Sequence, residues 1–175
     1  MPSVTGLGHV GLYVKDMPAM LDFYAGCLGL TVTDRGPDDR VVFLSARPDQ
    51  EHHELALVKS ADRKTDAQQV SFTCGSLTDL KEFHSQIKSR GLQVERVVSH
   101  GIAFGCYFRD PEDNLIEVYW STGIDYPQPV GQPIDLGEGE EALMRVLDEM
   151  PAVESETPRF YGRDVGKRLN GNGAS

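Results

Sequence analysis

Three side chains that could do chemistry lie within one short stretch, VSHGIAFGCYFRDPEDNLIEVYW, which covers residues 98–120. His100 could move a proton, because imidazole is the side chain that titrates near neutral pH. Tyr107 carries a hydroxyl that can donate a hydrogen bond, and Glu117 carries a carboxylate that can bind a cation. An ordinary loop histidine and a packed tyrosine are the structural alternatives for the first two. The combination makes this stretch the first candidate for a functional site.

Glu117 is expected on a strand that is otherwise apolar. Residues 110–114, DPEDN, place Pro before Asp and Asn, which predicts a tight turn between two strands. In the strand 115–120, alternation then puts Glu117 on the face opposite to its apolar neighbours. An unpaired carboxylate is costly to bury. Glu117 therefore needs a metal ion, a proton or an ion pair, for which Arg109 and Lys59 are the structural candidates.

Composition limits the classes of function. The chain has 175 residues, which fits one domain or two small modules, and a formal net charge of −10. Nucleic acid and anionic membranes are therefore poor partners, since phosphate binding needs clustered Lys and Arg. The sequence has no membrane-spanning run and no signal-peptide pattern, so we expect a cytoplasmic protein. Cys27, Cys74 and Cys106 form no paired motif and are expected to be buried free thiols.

An internal repeat of about sixty residues predicts the fold. Residues 6–60 have the pattern of a strand, a helix and three strands, and residues 67–122 repeat that order. Asp16 followed by Pro18 marks the start of the first helix, and Ser76 marks the start of the second. We therefore predict an α+β domain over residues 1–123, built from paired βαβββ modules that form a shared cleft.

The repeat also selects candidate site residues. It matches His9 with Gln69 and Glu54 with Glu117. Alternation in HHELALV directs Glu54 into the cleft and His53 away from it, although a shift by one residue would reverse this and stays open. Two carboxylates that face one cleft repel each other unless a cation lies between them. His9 alone could be a core histidine, but the converging side chains favour a metal site.

At these positions the chain resembles the vicinal oxygen chelate superfamily, which includes glyoxalase I, the fosfomycin and bleomycin resistance proteins and the type I extradiol dioxygenases. The resemblance covers about residues 7–122. It implies a divalent metal in the cleft, held by ligands from the first and last strands of each module. These ligands would be His9, Glu54, Gln69 and Glu117.

Within the superfamily, the order His100, Tyr107 and Glu117 is similar to that of single-domain extradiol enzymes that open biphenyl-diol or catechol rings. This resemblance implies catalytic roles for His100 and Tyr107. It also implies Fe(II) as the cofactor, with Mn, Ni or Zn as alternatives. An aromatic diol and O2 would be the partners, and we expect a homodimer.

Three positions differ from the extradiol pattern. Gln69 stands where a second His ligand would be, Cys106 where a larger aliphatic residue or Phe would be, and Asp113 where Gly or Pro would be. A set of His, Gln and Glu is instead similar to that of metal-dependent glyoxalase I. A glyoxalase-like lyase or isomerase is therefore an alternative function. A non-catalytic protein that binds a small molecule or confers resistance is another.

The end of the chain differs in composition from the repeat. Residues 124–150 are expected to form an extended arm and one short helix over 140–150, with a role as an interface or a lid. Residues 151–175 are expected to be a disordered tail. His52, His53 and His84 are expected to be surface groups or groups that only support the site.

Overall fold

The chain folds into two βαβββ units, which a computed structural model describes for residues 7–62, 64–124, 126 and 130–150. One unit comprises Met1–Gln68 with Asp110–Asn114, and the other comprises Gln69–Arg109 with Leu115–Ser175. The α+β class and the paired βαβββ modules predicted from the sequence are confirmed. The tail predicted over 151–175 lies outside the described residues.

The first unit contains four strands and one helical segment. Its parts are β1 (Val10–Val14), α1 (Met17–Leu21) with a π-helical continuation (Asp22–Cys27), β2 (Thr31–Arg35), a 3₁₀ turn (Pro37–Asp39), β3 (Val41–Ser45) and β4 (Leu55–Lys59). The sheet order is β1-β4-β3-β2, and β1 runs parallel to β4.

The second unit repeats this order and extends it. Its parts are β5 (Val70–Thr73), α2 (Leu77–Ser89), β6 (Val94–Ser99), β7 (Ala103–Arg109), β8 (Leu115–Ser121), β9 (Gln132–Pro133) and α3 (Glu140–Glu149). The sheet order is β5-β8-β7-β6-β9, with β5 parallel to β8. Within the described residues, no helix is long and apolar enough to cross a membrane.

Side-chain caps start the helices where the sequence predicted them. The carboxylate of Asp16 accepts a hydrogen bond from the Ala19 backbone at 3.0 Å, and the Ser76 hydroxyl accepts one from the Asp79 backbone at 3.0 Å. Such caps satisfy N–H groups that have no partner within the helix, and each contributes about 1 kcal/mol. The helix at 140–150 is also present, as α3.

Alternation along the strands separates a buried face from a more polar face in each sheet. The buried side of the first sheet consists of Leu12, Val14, Val42, Leu44, Leu55 and Leu57, all fully inaccessible. The corresponding side of the second sheet consists of Phe104, Cys106, Phe108, Ile116 and Val118. All three cysteines are free thiols, as predicted, with Cys74 only half-buried. Each sheet therefore presents one remaining face for polar side chains.

Strand register corrects one match made from the repeat. In the parallel pairs, Gly11 is aligned with Ala56, whereas Ser71 is aligned with Glu117. If the first strands are matched at His9 and Gln69, the counterpart of Glu117 in the first unit is Ala56. Glu54 lies two residues earlier, just before β4. The repeat pattern could not detect this displacement, because a shift of two residues keeps the same face of a strand.

Asp110 organises the turn between β7 and β8, which belongs to the first unit. Its side chain is 4% exposed and accepts hydrogen bonds from the backbone N–H groups of Glu112 and Asn114, both at 2.9 Å. It also accepts from the Asn114 amide at 2.8 Å and from the Tyr24 hydroxyl at 2.9 Å. Asp113 takes a φ of 70°, the left-handed conformation expected in this turn.

We predict that Asp110→Ala lowers the free energy of unfolding by about 2–4 kcal/mol, because it leaves buried donors without an acceptor. Urea denaturation followed by circular dichroism measures this change. Asp113→Gly is the control, since glycine adopts a positive φ readily and the change should stay within about 1 kcal/mol. Equal stability of Asp110→Ala and the wild type would contradict the role assigned to Asp110.

Candidate functional site

A cavity of about 340 Å³ opens on the polar face of the second sheet. Alternation on β8 directs three side chains into it, and β5, β7 and the loop after β6 supply the others. The polar residues that line the cavity are Ser71, His100, Tyr107, Glu117, Tyr119 and Ser121. Three residues predicted from the stretch 98–120 therefore share one cavity.

Glu117 is a buried carboxylate surrounded by neutral donors. It is 6% exposed, and its Oε2 accepts hydrogen bonds from Ser71 Oγ at 2.6 Å and from Gln69 Nε2 at 3.2 Å. Arg109, a candidate ion-pair partner, binds Glu95 instead at 2.5 Å. None of the ion pairs among the described residues includes Glu117. Among the described residues, hydrogen bonds from neutral donors therefore offset the cost of burying this carboxylate.

Gly105 provides the space that the carboxylate occupies. A Cβ atom at this position would lie 2.5 Å from Glu117 Oε1 and 3.1 Å from Tyr107 Cε2. The first distance is shorter than any van der Waals contact, so a larger residue would displace the carboxylate. The sequence analysis did not identify Gly105. A glycine inside a strand is a signal of close approach, and it could have been found that way.

Tyr107 is held between the carboxylate and a cation. Its side chain is buried, and the guanidinium carbon of Arg96 lies 4.0 Å from the ring centre. Burial, followed by the hydrogen bond and charge of Glu117, raises the pKa of Tyr107 to about 12, while Arg96 acts in the opposite direction. The phenol therefore keeps its proton at neutral pH and can donate it.

His100 completes a chain of polar contacts. Its Nε2 lies 3.0 Å from the Tyr107 hydroxyl, and its Nδ1 lies 2.5 Å from the backbone oxygen of Val130. Tyr107 in turn hydrogen-bonds Glu117. The phenol has one hydrogen and two neighbouring acceptors, so it can give its proton to only one of them at a time.

The first unit holds a separate group of imidazoles. The ring of His53 lies 4.3 Å from that of His9 and 4.7 Å from that of Phe43, and its Nδ1 lies 2.9 Å from Nδ1 of His52. The ring of His53 therefore packs against that of His9, and the prediction that Glu54 faces the cleft while His53 points away from it stays a prediction. Strand alternation did not apply, because β4 begins only at Leu55.

The surroundings of His53 keep it neutral. Partial burial, followed by the neighbouring imidazoles of His9 and His52, holds the pKa of His53 below its usual range. A neutral imidazole has a free lone pair, so it can accept a proton or bind a metal.

Glu54 already has a cationic partner. Arg47 donates to its Oε1 from Nη2 at 2.8 Å and from Nε at 3.2 Å, while Ser45 and the Ala46 backbone donate to Oε2. Partial burial acts to raise the pKa of Glu54, but the hydrogen bonds from Arg47 and Ala46 outweigh it and hold the pKa below its usual range. The two carboxylates matched by the repeat thus have different surroundings.

The side chains in each unit include donors that suit a divalent metal. Within the described part of the chain, no three His, Cys, Asp or Glu side chains form a metal cluster. The candidate metal ligands instead have other neighbours. The amide of Gln69 contacts Glu117, and the ring of His53 packs on that of His9. Glu117 forms no ion pair within the described residues, and a buried carboxylate of this kind fits the charge of a metal.

Two further residues at the site were missed from the sequence. Ser71 lies two residues after Gln69 in β5, on the same face and aligned with Glu117, so alternation from Gln69 could have identified it. Arg96 is exposed on β6, and no local pattern distinguishes it from other surface arginines.

The chain matches a known family over more than half of its length. Residues 6–118 match the model of the Glyoxalase/Bleomycin resistance protein/Dioxygenase superfamily. This range runs from β1 into β8 and contains every candidate site residue predicted from the sequence.

Two curated relatives have informative names. Biphenyl-2,3-diol 1,2-dioxygenase 3 of Rhodococcus globerulus is 31% identical over 143 residues, which cover 77% of this chain and 71% of the relative. Metapyrocatechase 2 of Cupriavidus necator is 30% identical over 150 residues, which cover 83% of this chain and 45% of the relative. The chain thus spans less than half the length of the second relative.

Solved structures show the same fold at lower identity. A genomically encoded fosfomycin resistance protein from Listeria monocytogenes superposes with a TM-score of 0.56 and 18% identity over 69% of this chain and 94% of that one. A possible glyoxalase from Bacillus cereus superposes with a TM-score of 0.54 and 22% identity over 67% and 98% of the two chains. At this identity, the likeness extends to the fold alone.

We predict that Gly105→Ala lowers the free energy of unfolding by about 1–3 kcal/mol, because the added methyl group overlaps Glu117. Gly11→Ala is a matched control, since its Cβ would meet only the Ala56 oxygen at 3.9 Å, an ordinary contact. Both variants are measured by urea denaturation. If both lost the same stability, strand propensity would explain the result and the overlap with Glu117 would not.

Proposed function

The chain belongs to the Glyoxalase/Bleomycin resistance protein/Dioxygenase superfamily, and from that premise we propose that it is a metal-dependent extradiol dioxygenase. Its substrate would be an aromatic diol of the catechol or biphenyl-diol type, with O2 as the second substrate. The observation that carries the proposal is the contact chain of His100, Tyr107 and Glu117 in one cavity. The names of the curated relatives support the same reaction.

We propose Fe(II) as the metal. We propose that its ligands are His9, Glu54, Glu117 and the amide oxygen of Gln69, as the resemblance to the superfamily implies. His53, which lies against His9, is the alternative to Glu54. When bound, the ion supplies the Lewis acidity and electron transfer that ring opening by O2 requires.

The residues of the chain would bind the diol and manage its protons. Tyr107 remains protonated, since burial and Glu117 raise its pKa to about 12, and its one hydrogen would go to Glu117, to His100 or to the diol. His100 accepts or returns a proton at Nε2, next to the Tyr107 hydroxyl. Ile102 and Ala103 give the cavity an apolar wall that suits an aromatic ring.

A glyoxalase-like lyase or isomerase is the second candidate, favoured by the contact of Gln69 with Glu117. In that reaction Glu117 would move a proton next to a carbonyl group and no oxygen would be consumed. Oxygen uptake therefore separates the two enzymes. A protein that only binds a small molecule would bind an aromatic compound without converting it.

The proposed reaction is tested on His100→Ala, by oxygen uptake with 2,3-dihydroxybiphenyl and with catechol, together with iron per chain. The wild type should contain iron and consume oxygen with at least one of these diols. His100→Ala should lose about 10²–10⁴-fold in turnover while it keeps its iron, because it removes only an acid–base group. His84→Ala, on α2, is the control and should keep full turnover.

An iron-loaded wild type that consumes no oxygen with any diol would exclude the dioxygenase and favour the lyase or isomerase. Loss of iron from His100→Ala would make His100 a metal ligand.

Metal content tests the proposed ligands one at a time. We expect Glu117→Gln to lose most of its iron, measured by mass spectrometry of the purified protein, because it removes the buried negative charge. Comparison of Glu54→Ala with His53→Ala then shows which of these two residues is the ligand. Arg47→Ala is the matched control, since it breaks the ion pair of Glu54 and keeps the carboxylate. If Arg47→Ala and Glu54→Ala lost iron equally, the effect of Glu54 would be structural.

A further inference from the structure

The segment after β8 reaches the loop that carries His100. In this segment, which we call the arm (residues 130–136), strand β9 pairs with β6, with Gln132 aligned to Ser99. The Ile134 backbone N–H donates to the Val97 oxygen at 3.2 Å. The arm therefore continues the sheet along the strand that leads directly into His100.

The first residue of the arm contacts the imidazole of His100. The backbone oxygen of Val130 lies 2.5 Å from Nδ1. A carbonyl oxygen can only accept a hydrogen bond, so Nδ1 must carry the hydrogen. In the neutral imidazole the other nitrogen then has a lone pair, and that nitrogen lies 3.0 Å from the Tyr107 hydroxyl.

We propose that the backbone carbonyl of Val130 is a positioning group for His100, which selects the Nδ1–H tautomer and directs the Nε2 lone pair at the Tyr107 hydroxyl. The inference rests on the proposed function, in which His100 exchanges a proton at Nε2. The opposite tautomer would place a hydrogen on Nε2 and remove that acceptor.

The backbone around His100 is held so that the ring has a defined place. The His100 N–H donates to the Ala103 oxygen at 2.8 Å, and the Thr122 hydroxyl donates to the Gly101 oxygen at 2.6 Å. Gly101 takes a φ of 75°, and a Cβ atom there would lie 2.7 Å from the Tyr126 side chain. With the loop fixed, the direction of the ring depends on what its two nitrogens contact.

The far end of the arm is anchored as well. Leu136 is 2% exposed and Leu143, on α3, is 1% exposed. The Thr78 hydroxyl on α2 donates to Glu140 at 2.7 Å. The arm is therefore held by its pairing with β6 and by the burial of Leu136, its last residue.

The test is the tautomer of His100, read by long-range ¹H–¹⁵N NMR of the full-length chain with ¹⁵N-labelled histidine. The protein is supplied with Zn²⁺ as a diamagnetic ion, and spectra at several pH values identify the neutral form. The expected pattern has a protonated Nδ1 and an unprotonated Nε2. A protonated Nε2 in the neutral wild type would overturn the proposal, and this measurement needs no variant.

Ile134→Pro tests whether the arm causes the tautomer, because it removes the N–H donor that pairs with Val97. We expect a mixture of both tautomers, at least a 10-fold lower kcat and a KM within about twofold of the wild type. Gly131→Ala is the control, since its Cβ would lie 3.9 Å from the His100 ring, an ordinary contact, and it should change neither readout.

Hydrogen exchange of the arm shows whether Ile134→Pro has released it. A released arm with an unchanged tautomer would overturn the proposal. The tautomer does not depend on the reaction, so a chain with the Nδ1–H form and no oxygen uptake would refute only the proposed function.

Discussion

Burial of one carboxylate governs the second unit. Glu117 is almost inaccessible within β8, where a charged group is stable only if hydrogen bonds or a cation replace its water. Ser71 and Gln69 supply neutral donors, Tyr107 can give its one hydrogen to Glu117 or to His100, and Gly105 leaves the space in which the carboxylate lies. Because each donor is neutral, the charge itself stays available to a cation. A carboxylate held in this way is suited to bind a metal. An ion pair with a Lys or Arg side chain would already satisfy its charge.

The two units share one topology and differ in how they treat acidic side chains. At the position in the first unit that matches Glu117, the chain has Ala56. The nearby Glu54 lies outside the strand and is bound by Arg47, so its charge is satisfied locally. Instead of a buried acid, the first unit has imidazoles in contact there, His53 with His9. A repeated backbone therefore carries two unequal sets of donors.

The arm adds a contact to His100 that the repeat alone does not provide. Strand β9 continues the sheet beyond β6, and its path brings a backbone oxygen to the imidazole of His100. Main-chain groups are well suited to fix an imidazole, because their position is set by strand pairing and loses little freedom on binding. His100, which lines the cavity, is thus contacted both by the repeated unit and by the segment that follows it.

Local patterns in the sequence determined the elements and several faces. Asp16 and Ser76 start helices because their side chains replace missing backbone acceptors, and Glu117 faces away from its apolar neighbours because strands alternate. These effects act over a few residues, so the sequence alone was sufficient to predict them.

Only the tertiary structure decided the contacts between distant segments. The offset that aligns Ala56 instead of Glu54, the packing of His53 on His9, and the approach of Val130 to His100 all depend on register and loop paths. A shift of two residues leaves the alternation unchanged, and a loop residue has no strand parity, so neither carries a local signal. These contacts are set by the pairing of whole strands, in which many weak interactions together select one register.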